Sequence, residues 1–228
     1  MTNDFITSPS FGIVISIIAY QIGIYINKKT KLSILNPILT ASALIIGILS
    51  FLKISFSDYN NGGKLISLFL EPATVILAIP LYKNMYLLKK HLKEIIIGIF
   101  SGALMSVVSV LILSKIFKLD YSVILSLLPK SITTPIGLEV SKNIGGIKGI
   151  TVISIAITGI TGAVFSSFLI SVFKFKNKVA IGIAIGTCSH ALGTSRALEI
   201  GEVEGAMSSL AIGISGLFTV LIISVLIH

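Results

Sequence analysis

Six apolar runs, near 8–26, 32–52, 64–82, 94–117, 147–173 and 205–227, are each long enough to cross a bilayer as a helix. The hydrocarbon core is about 30 Å thick and takes about 20 helical residues to span. No other feature restricts the fold as much, because lipid admits only segments that satisfy their own backbone hydrogen bonds. Composition points the same way. Only 12% of the 228 residues are charged, 54% are hydrophobic, and the mean hydropathy is +1.02. A soluble domain of this length carries about a quarter charged residues and needs a wettable exterior. The first run begins near Phe11 with no basic stretch before it and no small-residue cleavage pattern after it, so it is expected to stay as a span.

Two further apolar stretches, 121–143 and 179–204, are as long as a span but are interrupted. The interruptions read LPKSITTP (128–135) and GTCSHALGTSR (186–196). The net charge of +9 sits between the apolar runs, as expected of loops beside lipid headgroups. Basic patches interleaved with exposed aromatics are missing, which argues against a nucleic-acid surface. Placing 28–31, 83–93 and 174–178 in the cytoplasm puts ten cations inside and six outside, with Lys130 and Arg196 left in the interruptions. That count is consistent only if 121–143 enters and leaves from the outer side and 179–204 from the inner side. Both termini are then external.

The two interrupted stretches resemble each other. PKSITT (129–134) aligns with SHALGT (189–194), pairing Lys130 with His190 and Thr134 with Thr194. Each Thr precedes a Leu-Glu pair, ending at Glu139 and Glu199, and Gly-rich GITGAVF (159–165) downstream faces GISGLFT (213–219). The fold expected is therefore an all-α polytopic membrane protein: about six full transmembrane helices plus two opposed re-entrant, broken-helix hairpins in an inverted repeat. Secondary transporters use such repeats, with the site near the midplane at discontinuous helices. Half-helices of about eight residues rise roughly 12 Å, close to midplane depth.

The breaks suggest anion chemistry. A helix N-terminus offers free N–H groups and about half a positive charge, and second half-helices are expected to start near Thr134 and Thr194. Ser131, Thr133, Thr134, Ser189, Thr194 and Ser195 add hydroxyls that either donate to an anion or cap helix ends. Gly193 lies among them. Lys130, His190 and Arg196 are ionisable groups at membrane depth and are candidates for function on that ground. Arg196 can clamp a carboxylate bidentately, or it can pair with Glu199 or Glu139. His190, with a reference pKa of about 6.5, is a candidate for proton coupling. Glu71, beside Pro72 within the third run, is a candidate proton carrier or a partner for Lys130 or Arg196; Glu139 and Glu199 are expected in ion pairs.

No enzyme constellation is visible. His91, His190 and His228 are scattered, so no metal-ligand spacing emerges, and no cofactor is implied. Cys188 is the lone cysteine, which excludes an intrachain disulfide, and reads as a small packing residue.

Five stretches of the sequence resemble the LrgB/CidB family of bacterial membrane proteins: EPATVILAIPLY (71–82), LPKSITTPIGLE (128–139), GGIKGIT (145–151), TGITGA (158–163) and GTCSHALGTSRALEIGEVEGAMSSLA (186–211). The resemblance implies two functions. One is antiholin-like regulation of murein hydrolase export and autolysis with a small LrgA-type membrane partner. The other is carriage of small carboxylates, as implied by relatives linked to pyruvate and by a plastid glycolate/glycerate translocator. The physics of the breaks favours a secondary carrier of small monocarboxylates in the cell membrane, with antiholin-like regulation as the alternative. On that reading 1–93 is a scaffold and 94–228 a transport unit, the partners are a small carboxylate and the bilayer, and the chain forms a homo-oligomer, taken as a dimer.

Overall fold

The computed structural model describes residues 6–30, 35, 37–69, 72, 75, 76 and 78–227. Among them there is no strand, and four helices are long and apolar enough to cross a membrane. The chain divides into two compact units, Met1–Ile76 and Leu77–His228.

The first unit is built of α1 (Pro9–Thr30), α2 (Pro37–Phe51) and α3 (Phe56–Ser67). Pro37 opens α2, where a missing N–H costs nothing. Ser55 caps α3 by accepting from the Asp58 N–H at 3.1 Å. Gly12 of α1 and Gly62 of α3 bring the two backbones together, and the Ser16 and Tyr59 hydroxyls join the same helices at 2.9 Å. Two expected spans come out differently. At 15 residues α2 is shorter than a full crossing, and α3 holds only the start of the run at 64–82. The end of that run forms α4 (Ala78–Lys83), followed by α5 (Met85–Lys90), so no single helix among the described residues covers it.

The second unit continues with α6 (Leu92–Ile116), α7 (Tyr121–Leu127), α8 (Thr134–Asn143), α9 (Lys148–Val172), α10 (Lys178–Ile200) and α11 (Glu202–Ile227). The long helices α6, α9 and α11 leave large apolar side chains outward, with Ile97 66% and Val225 82% exposed. Apolar surface on that scale is untenable in water and ordinary in lipid.

Helix α10 is not one rod. His190 has φ 43° and ψ −138°, which no α-helical residue adopts. The chain folds back there: Ile181 and Ile185 from before His190 cluster with Ala197 from after it. In a straight helix Ile181 and Ala197 would be about 24 Å apart. Gly193 permits the close return, because a Cβ there would strike Ile185 Cγ2 at 2.9 Å and the Ser189 side chain. The first hairpin turns more loosely. Between α7 and α8 the chain passes through Leu128 to Thr133, and Thr151 then ties the two arms, bonding the Ser141 hydroxyl at 2.7 Å and donating to the Ser126 carbonyl at 3.1 Å.

Neighbouring pairs fix the directions. Gly98 lies against Ile183 and Gly102 against Thr187, so α6 runs parallel to the first half of α10. Gly182 meets Glu204 and Gly186 meets Ser208, so α11 runs the same way. Helix α9 runs opposite, since Gly162 meets Ser189 while Ile170 packs on the cluster of Ile181 and Ile185. The hairpin 121–143 therefore enters the bundle from the end that holds Ile116 and Lys148. The hairpin of α10 enters from the end that holds Leu92, Val172 and Glu202. The two hairpins point toward each other from opposite ends, each followed by a long helix, α9 or α11.

The second break falls at His190, within the expected interruption 186–196, but the second half-helix starts earlier than the expected Thr194. The first half, 178 through 189, has twelve residues and not about eight, and the second half begins at Ala191. The expected hairpin 179–204 also ends sooner. Gly201 terminates α10, donating its N–H to Ala197 O at 3.0 Å, and Glu202 already belongs to α11.

Candidate functional site

The middle of α6, the middle of α9 and both chain breaks line one cleft of about 590 Å³. Helix α6 contributes Gly102, Met105, Ser106 and Ser109; α9 contributes Ile157, Thr158, Thr161 and Gly162. The first break supplies Lys130 and Ser131, the second Cys188 and Ser189.

Each break is held in place by its neighbour. The Ser131 hydroxyl is buried and lies 2.7 Å from that of Ser106 on α6, so the first break is docked at mid-helix. Lys130 extends its ammonium to within 3.4 Å of both hydroxyls, donating to each. Among the described residues no carboxylate comes within ion-pair distance of it. The second break docks on α9. The buried His190 ring donates Nε2–H to the Ile155 carbonyl at 3.0 Å, and a Cβ on Gly159 would meet the same ring at 2.5 Å. A positive-φ histidine costs roughly 1–3 kcal/mol of backbone strain, and this bond and packing offset it. Ser189 is buried and lines the cleft.

The remaining residues singled out in the sequence are spread around this centre. Thr133 is the N-cap of α8 without a side-chain capping bond, and Thr134 is exposed; neither lines the cleft. Gly193 serves the chain reversal. Thr194 lies behind the break, donating to His190 O at 3.0 Å and bonding the Ser208 hydroxyl at 2.7 Å. Thr194→Val removes that buried pair and should lower the stability of detergent-solubilised protein by about 1 kcal/mol, read as an earlier thermal transition. Ser195 is exposed and donates to Ala191 O at 3.3 Å. Arg196 takes the pairing foreseen as its alternative: it bonds Glu199 and donates twice to Ser167 Oγ, at 3.0 and 2.9 Å. Glu139 pairs with Lys142 at 3.8 Å. Glu71 lies outside the described residues.

Several contributors were not foreseen. Cys188, expected to pack, is exposed on the cleft wall. Ser106 and Ser109, like Thr158 and Thr161, are small polar pairs three apart on one helical face within otherwise apolar spans. That i, i+3 spacing was a readable signal. The electropositive starts of the second half-helices, Thr134 and Ala191, come just after the lining residues and not within them.

The fold and the cleft define a polytopic helical membrane protein with a mid-bundle cleft lined by both chain breaks. The chain belongs to the LrgB-like family, whose pattern it matches over residues 16–228. It is similar to the antiholin-like protein LrgB of Bacillus subtilis (strain 168), with 43% identity over 97% of this chain and 96% of that one. The proteins of the same name in Bacillus mycoides (strain KBAB4) and Bacillus cereus (strain B4264) are each 42% identical over 95% of this chain and 94% of theirs. No solved structure matches the chain.

Proposed function

We propose that this chain acts in the cell membrane as an antiholin-like protein, restraining murein hydrolase export and autolysis together with a small LrgA-type membrane partner. The observation that supports it is 43% identity, across nearly the whole chain, to a relative of that name. Cells lacking the chain should lyse faster in detergent-stimulated autolysis, and re-expression should restore the slower rate. Unchanged lysis in the deletion strain would refute the role.

A specific observation favours a second, compatible reading. Among the described residues Lys130 has no carboxylate partner, and its ammonium is set among hydroxyls in a cleft inside the spanning bundle. A charge at that depth is costly unless compensated, and a bound anion would compensate it. The cleft suits a small monocarboxylate of the pyruvate or glycolate kind, with Lys130 as countercharge and Ser106, Ser131 and Ser189 as donors. The second unit would carry it between the two faces, with the first unit as scaffold. Altered carboxylate flux would then change lysis indirectly. Proteoliposomes should accumulate labelled pyruvate or glycolate; equal leakage of unrelated solutes would mean a pore instead.

A further inference from the structure

A second cavity of the same unit, about 420 Å³, runs as a groove between α6 and the first half of α10. Its outer end holds His91, Glu94 and Asn177, at the Leu92 end of the bundle. Its inner end holds Gly102, Met105 and Cys188, and these three residues also line the central cleft. Along α6 the open face advances from Glu94 through Gly98 and Ser101 to Met105, and the cleft continues it to Ser106 and Ser109. Thr187, buried and with no hydrogen-bond partner for its hydroxyl, stands on the groove wall.

We infer that the α6–α10 groove is the aqueous route between the central cleft and the Leu92 end of the bundle. The inference rests on the reading of the cleft as a solute site and adds its side of access. On the cation distribution, the Leu92 end faces the cytoplasm.

Cys188 is the chain's own reporter, since it is the only cysteine and sits where groove and cleft meet. Full-length protein in sealed vesicles is treated from either face with a membrane-impermeant charged methanethiosulfonate. Asn177→Cys and Tyr121→Cys, each made in a Cys188→Ser background, mark the two faces. Cys188 should react from the face that modifies Asn177→Cys and not from the face that modifies Tyr121→Cys. Met105→Trp and Ser101→Trp, which fill the groove on successive turns of α6, should each suppress that labelling in protein that remains monodisperse. Labelling from the Tyr121 face, equally from both faces, or from neither overturns the route, as does wild-type labelling in both tryptophan variants. Saturating pyruvate should shield Cys188. One-sided labelling without that shielding would refute the carboxylate reading and leave the route standing.

Discussion

Gly186→Val should lower the thermal transition of the protein by about 6–12 °C. Helix α11 passes so close to the first half of α10 that a Cβ at position 186 would strike the Ser208 carbonyl, with Ser208 Cα at 2.8 Å and Ala211 Cβ at 2.9 Å. Two of those three obstacles are backbone atoms, which no rotamer change removes. The helices must separate, and with them goes the cluster in which Ile95, Ile99, Ala206, Met207 and Ala211 are all fully buried. Overpacking a close-packed core typically costs 1–3 kcal/mol, and a β-branched residue against backbone belongs at about 3 kcal/mol. For a chain of this size that corresponds to a thermal transition lowered by about 6–12 °C in detergent. Gly213→Val is the control, because a Cβ there meets nothing within 4 Å and the transition should hardly move. Equal stability of the two variants would show that the α10–α11 approach is looser than described.

The second large effect concerns Lys130→Met. This change keeps the length of the side chain and removes the cleft's one cation among the described residues. A hydrogen bond to a charged group contributes about 1.5–3 kcal/mol, so carboxylate binding or uptake should fall roughly 10- to 150-fold. The fold should survive, because among the described residues the ammonium has no ion-pair partner to strand, and its removal spares a charge at membrane depth. Lys130→Arg should retain part of the uptake while Met does not. Undiminished uptake by Lys130→Met would remove the cation from the anion site. A variant that instead unfolds early would show that the ammonium holds the break to Ser106 and Ser131.

Span-length apolar runs are a local property, and four of them became α1, α6, α9 and α11 within a few residues of the expected limits. The start of α8 at Thr134 was legible because Pro135 at its first turn follows a polar stretch that cannot continue a lipid-facing helix. The second break was legible as the interruption 186–196, but not which of its residues bends. Thr194 and Ser195 look like helix starters, and it is His190 that leaves the helix. It takes its strained conformation only because Ile155 O and Gly159 of another helix hold its ring.

The cleft divides in the same way. Lys130, Ser131 and Ser189 stood out as polar residues in apolar surroundings, and all three line it. Arg196 stood out equally, but six residues beyond the break it is taken up by Ser167 and Glu199. The spacing of charges along a chain does not say which helix lies opposite. Ser106, Ser109, Thr158 and Thr161 carried too little polarity to stand out in long apolar spans, yet they form much of the wall.

By itself, then, the sequence determined a helical membrane chain with two polar interruptions in related segments, because hydrophobic length and backbone satisfaction are properties of a single segment. Only the tertiary structure decided which residue of the interruption bends α10, which hydroxyls face one another, and that Arg196 and not Lys130 is paired with a carboxylate among the described residues. Those depend on the packing of α6, α9 and α11 around the hairpins, and no single segment carries that information.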